Sequence, residues 1–93
     1  MRVQLTARAL KDLATVPTRQ RLRILWSLEP LAEASLHEVT GVKRLEGIGR
    51  PAIHRLRVGS YRVLCTVEPD GVTVLRVISR QDLAKAIRQL TGR

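Results

Sequence analysis

Polar and apolar residues alternate from Arg2 to Leu5, and the run stops at Thr6, a side chain suited to begin a helix. A short strand leading straight into a helix over about Ala7 to Thr15 is predicted, with Leu10, Leu13 and Ala14 inward and Lys11 and Asp12 outward. Pro17 and Thr18 break the chain and restart it. Leu22, Leu25, Trp26 and Leu28 then form the apolar stripe of a second helix whose other side carries Arg19, Arg21 and Arg23. Pro30 either ends that helix or opens a further turn through Leu31 to Ala34.

The period changes after His37. Gly41, Gly47, Gly49 and Pro51 punctuate a stretch with Lys43, Arg44, Leu45 and Glu46 that reads as loop. From Ile53 the pattern is that of strands: IHRLRV, GS, YRVLCTVE, PDG, VTVLRVIS, a three-stranded antiparallel meander with two short turns. Ser79 is placed to cap a last helix ending near Leu90, with Leu83, Ala84, Ile87 and Leu90 on one face.

A two-residue turn at Gly59 and Ser60 sets Val58 against Tyr61 and Arg57 against Arg62. Alternation then places Leu56, Val58, Tyr61, Val63 and Cys65 toward a core, and Arg55, Arg57, Arg62 and Leu64 on the reverse face. A three-residue Pro69-Asp70-Gly71 loop pairs Glu68 with Val72 and adds Arg76, opposite Leu64, to the same arginine face. Like charges set against each other weaken a sheet, so the cluster implies either a bound anion or acidic neighbours such as Glu46 or Glu68.

Composition sharpens this picture. The 93 residues suffice for one domain, read as 1–93, and carry seventeen Lys and Arg against eight Asp and Glu, a net charge of +9. Only three of the cations are lysine, and guanidinium favours planar contacts with phosphate or carboxylate. Trp26 and Tyr61 are the only aromatics, which leaves no platform on which to stack single-stranded bases. A single cysteine and two well-separated histidines give neither a disulfide nor a zinc pattern. No signal peptide or membrane-spanning stretch is evident, and a cytoplasmic protein that does not engage membranes is expected.

Several segments together resemble the RelE/ParE superfamily of bacterial toxin–antitoxin toxins. They are the strand entering Ala9 to Leu13, Val42-Lys43-Arg44-Leu45-Glu46-Gly47, Leu56-Arg57-Val58-Gly59-Ser60-Tyr61-Arg62-Val63, and Leu75-Arg76-Val77 ahead of Ser79-Arg80-Gln81-Asp82. The resemblance implies an α+β fold, β-α-α-β-β-β, an antiparallel sheet with two helices on one face and a C-terminal helix. It implies a type II toxin held by an acidic antitoxin. The leading expectation is a RelE-like endoribonuclease that cuts mRNA on the ribosome by 2′-hydroxyl attack, without metal or other cofactor. The alternatives are a ParE-like inhibitor of DNA gyrase and a catalytically degenerate binding protein of the same fold.

On the RelE-like pattern Arg62 and Arg80 are the catalytic candidates, stabilising charge at the scissile phosphate, and Lys43, Arg44, Arg55, Arg57 and Arg76 are the candidates for binding RNA phosphates. The chain departs from the ribonuclease pattern where a His precedes the late arginine and a Tyr follows four residues on; here these are Ser79 and Ala84. His54 is the remaining candidate base, but its parity, like that of Tyr61, points it to the core.

Overall fold

The computed structural model describes residues 2–33, 42–44, 53–68 and 71–92. Strand β1 (Arg2–Leu5) leads into helices α1 (Ala7–Ala14) and α2 (Thr18–Glu33). Strands β2 (Val42–Arg44), β3 (Ile53–Val58), β4 (Tyr61–Glu68) and β5 (Gly71–Ser79) follow, then a 3-10 turn (Arg80–Asp82) and helix α3 (Leu83–Thr91). The sheet order is β1-β5-β4-β3-β2, antiparallel except for β1, which lies parallel to β5. This is the expected α+β architecture, enlarged by β2, a three-residue edge strand where the sequence pattern read as loop. Three residues are too few for an alternation to register. The other loop expected before the meander, including Glu46, and the Pro69–Asp70 turn lie outside the described residues.

Thr6 performs three tasks where β1 becomes α1. Its Oγ1 accepts from the Ala9 N–H at 3.1 Å and donates to the Leu75 carbonyl at 3.1 Å, while its own N–H bonds the Val74 carbonyl at 3.0 Å. The helix cap is thereby also a tie to β5. At the other end of α1, Arg21 of α2 donates to the Val16 carbonyl at 3.0 Å and to the Ala14 carbonyl at 3.4 Å. It satisfies carbonyls that a helix C-terminus leaves open.

The helical hairpin packs on one sheet face through Ala9, Leu13, Val16, Ile24, Leu28 and Leu31, against Leu56, Val58, Val63, Cys65, Val72, Val74 and Val77. The inward rows differ from those expected. Leu10, Leu22, Leu25 and Trp26 are exposed, and only Leu13 and Leu28 of the expected stripes are buried. Helix α2 offers two apolar rows, and the row of Leu22, Leu25 and Trp26 runs on into Glu29. The row of Ile24, Leu28 and Leu31 stays apolar to the helix end, and that continuity decides which one faces the sheet. The helix runs through Pro30 to Glu33, with Leu31 buried one residue later.

The β3–β4 hairpin has the expected register, including Arg57 opposite Arg62 and Val58 opposite Tyr61. Gly59 takes a φ of +58° and is the only residue of its turn with positive φ, the pattern of a type II′ turn. The second hairpin departs from expectation: Glu68 pairs with Gly71 rather than Val72, and the register shifts by one residue between Leu64 and Cys65. Without that bulge Val72 and Val74 would face away from the main core; with it both are buried there, while Arg76 still stands opposite Leu64. Glu68 accepts from Thr66 and Thr73, each at 3.0 Å, and is not an arginine partner.

Helix α3 covers part of the reverse face. Ala86, with Leu83 and Ile87, packs on Ile53, Leu64 and Ile78. Among the described residues no helix is long and apolar enough to cross a membrane. In the main core, burial pushes the Cys65 thiol up to about 11, so it is protonated and inert at neutral pH.

These burials separate two substitutions on one helix. Ile24→Ala is expected to lose about 2 to 5 kcal/mol of stability and Trp26→Ala to stay within about 0.5 kcal/mol of the parent, as read from chemical denaturation. The opposite order would place the wrong row of α2 against the sheet.

Candidate anion-binding face

The arginines on the reverse face fall into two groups. Arg55 is half-buried, Arg57 and Arg80 are exposed, and Arg62 is only 7 % exposed. Arg62 stands opposite Ile78, which α3 helps to cover, and this explains its burial. Its Nη1 donates to the Gly59 carbonyl at 3.0 Å and to the Tyr61 carbonyl at 2.9 Å. The turn that reverses the chain therefore also fixes the guanidinium.

Burial, followed by the charges of Arg57, Arg55 and Arg80, lowers the pKa of Arg62. Among the described residues none of these four arginines has a carboxylate within ion-pair distance. The buried Nε of Arg55 also has no hydrogen-bond partner there. Arg80 is positioned through its backbone, whose N–H bonds the Ser60 carbonyl at 2.8 Å and extends the β4–β5 ladder to the tip of the neighbouring hairpin. Four like charges thus converge toward the Gly59–Ser60 end of the sheet without a counter-charge among the described residues, an arrangement that favours an incoming anion.

Arg76 belongs to different chemistry. Its Nε donates to Asp12 Oδ2 at 2.8 Å, its Nη2 to Asp12 Oδ1 at 3.4 Å and its Nη1 to Gln89 Oε1 at 3.0 Å. Asp12 Oδ2 also accepts the Val77 N–H at 3.0 Å, and Arg8 lies 3.6 Å from Oδ1. The sequence pattern places Arg76 among the phosphate ligands and Asp12 in solvent, whereas the fold makes them a half-buried bidentate pair. The i, i+4 spacing from Arg8 to Asp12 was the one local hint that this carboxylate had cationic neighbours.

The remaining candidates divide by register. Lys43 stands across from Arg55 and Arg44 across from His54, while the placement of their side chains lies outside what is described. His54 pairs with Cys65, on the side of the sheet that carries the helical hairpin. Tyr61 packs against the main core and, with Asp12, Arg76, Ser79, Lys85 and Gln89, lines a cavity of about 400 Å³ between α1 and α3. Ser79 donates to Asp82 at 3.0 Å, and Ala84 is exposed on α3.

Residues 3–84 match the family described as the ParE toxin of the type II toxin-antitoxin system, parDE. The chain belongs to this family. It is similar in structure to a chain of the RelB–RelE antitoxin–toxin complex of Methanococcus jannaschii, with a TM-score of 0.73 and 25 % identity over 89 % of this chain and 96 % of that one. The Pyrococcus horikoshii RelE–RelB complex gives a TM-score of 0.68 and 29 % identity over 85 % and 93 % of the two chains. The RelBE2 toxin–antitoxin complex of Mycobacterium tuberculosis gives 0.61 and 26 % over 84 % and 95 %. No curated protein matches the sequence. The protein is thus a RelE/ParE-superfamily toxin of a toxin–antitoxin system.

The pair at the edge of β5 is open to test. Asp12→Ala strands a half-buried guanidinium and an unbonded Val77 N–H, and is expected to cost about 3 to 5 kcal/mol of stability. Arg8→Ala removes only the exposed partner and is expected to cost less than about 1 kcal/mol. Thermal or urea denaturation of the two variants reads the difference, and equal losses would remove Asp12 from its structural role.

Proposed function

We propose that this toxin acts by binding its target through Arg55, Arg57, Arg62 and Arg80, and that the target is DNA gyrase, in the manner of a ParE-like poison rather than a ribonuclease. The observation that carries the reading is an arginine cluster with charge to offer and, among the described residues, no histidine or tyrosine on its face of the sheet. RNA cleavage by 2′-hydroxyl attack needs both a base for the hydroxyl and positive charge for the phosphate. At the positions where the ribonuclease pattern has His and Tyr, this chain has Ser79, bonded to Asp82, and Ala84, which has no titratable group. His54 and Tyr61 take the opposite side of the sheet. The match to the ParE family points the same way.

A second reading keeps mRNA cleavage on the ribosome, with Arg62 and Arg80 stabilising the scissile phosphate. Its support is the fixed, buried guanidinium of Arg62 together with the likeness to the two archaeal RelE toxins. In either case the inhibitor is an acidic antitoxin, a reading supported by the antitoxin–toxin complexes among the solved relatives and by the +9 charge.

Gyrase supercoiling and primer extension on translated mRNA separate the two mechanisms. The toxin is expected to inhibit supercoiling and to leave mRNA uncut. Arg57→Ala or Arg80→Ala should raise the inhibitory concentration about tenfold, equivalent to about 1.4 kcal/mol of binding. Discrete mRNA cuts that vanish in Arg80→Ala, with gyrase unaffected, would replace this conclusion with the second reading.

A further inference from the structure

The apolar row of α2 that turns away from the sheet is left in solvent. Of the five large apolar side chains exposed among the described residues, four, Leu10, Leu22, Leu25 and Trp26, belong to the helical hairpin, and Trp26 is the most open at 66 %. Exposed apolar surface gathered on one element marks an interaction site. Along the middle of the outer face of α2 stand Arg19, Leu22, Trp26 and Glu29, all exposed and separated by steps of 3, 4 and 3 residues. These are the steps of a coiled-coil seam. Arg19 and Glu29 form no ion pair among the described residues, and about 15 Å of helix keeps them from each other. The seam is therefore positive at one end, apolar in the middle and negative at the other, and its spacing reads the same in both directions.

We propose that this seam is the interface of a homodimer, with α2 of a second copy of this chain packed antiparallel on α2 across a two-fold axis. An antiparallel pair centred level with Ile24 sets Leu22 against the partner's Trp26 and Arg19 against the partner's Glu29, and the two-fold repeats each contact. The pattern selects this arrangement. A parallel pair brings Arg19 against Arg19 and Glu29 against Glu29. An acidic segment of another protein satisfies Arg19 but meets Glu29 with a like charge. The axis lies on the helical side of the sheet, because α2 rests on the main core through Ile24, Leu28 and Leu31, so the arginine face of each protomer stays uncovered. The dimer thus carries two such faces, whichever target they take. One helix pair is a small interface and two +9 protomers repel each other, so the association is weak and concentration-dependent.

Sedimentation equilibrium of the purified toxin, from about 5 to 500 µM at about 150 mM salt, reads the mass. Fluorescence of Trp26, the only tryptophan, reads the burial of the seam. The mass is expected to rise from monomer to dimer as the emission moves to shorter wavelength and iodide quenching falls. Trp26→Ala should weaken the association at least about tenfold. Arg19→Glu and Glu29→Arg each set like charges together and should weaken it about fivefold, whereas the double variant Arg19→Glu/Glu29→Arg should return to within about twofold of the parent. Lys85→Glu, which changes the net charge as Arg19→Glu does but lies on α3, should not weaken it. All of these side chains are exposed, so the variants keep the fold. A toxin that stays monomeric across the range overturns the proposal, and so does a dimer that leaves Trp26 quenchable or that the double charge reversal fails to restore. A monomer whose Trp26 becomes protected only with the co-expressed antitoxin bound gives the seam to the antitoxin and overturns the second copy.

Discussion

Asp12 is the residue on which the arrangement of both faces depends. Strand β1 pairs with β5 only as far as Val74, so the rest of that edge needs other partners for its polar groups. Thr6 takes the Leu75 carbonyl and Asp12 takes the Val77 N–H, so the start of α1 and its second turn complete the edge that the strand leaves open. Asp12 holds Arg76 in the same geometry, and Arg76 reaches on to Gln89. A single carboxylate on the helix of one face is thereby linked, around the sheet edge, to the helix of the other. Because Asp12 engages Arg76, it also withdraws one arginine from the anion-binding face and leaves the remaining four toward the hairpin tip.

Those four define a different economy of charge. Arg62 is buried beside Ile78, and its pKa is depressed first by that burial and then by the charges of Arg57, Arg55 and Arg80. The turn carbonyls offset part of that cost through hydrogen bonds but supply no negative charge. An anion that enters the cluster therefore stabilises the fold as well as the complex, because it binds the native arrangement alone. Under the proposed function, an acidic antitoxin and an anionic target would compete for this same field, and charge complementarity would account for inhibition.

Local pattern carried much of this fold. The strand-to-helix step at Thr6, the two-residue turn at Gly59, the opposition of Arg57 and Arg62, and the core parity of Val63 and Cys65 each depend on residues near one another in sequence. What escaped was decided at a distance. The bulge at Leu64 and Cys65 arises because Val72 and Val74 gain burial by a one-residue slip, a competition that turn length cannot report. The choice between two apolar rows on α2 depended on which row the sheet could cover to its end. The Asp12–Arg76 pair joins residues 64 positions apart, and no helical periodicity distinguishes a carboxylate in water from one that meets a distant arginine. The candidate site was legible as a cluster of positive charge, but not in its membership: Arg76 left it for Asp12.

The hairpin tip explains why the charges collect where they do. It is the point at which the end of β3, the start of β4 and the residue after β5 come within reach of one turn. Three successive carbonyls are presented there, and each already accepts a bond: Gly59 and Tyr61 from the Arg62 side chain, Ser60 from the Arg80 N–H. The turn thus fixes the position of Arg62 and the backbone of Arg80 while leaving the guanidinium groups of Arg57 and Arg80 without a bonded partner among the described residues. A backbone that anchors cations but does not neutralise them is preorganised for an external anion, since little rearrangement is needed when the ligand arrives. Binding at such a tip is governed by the geometry of a two-residue turn that holds its cations in place before any ligand arrives.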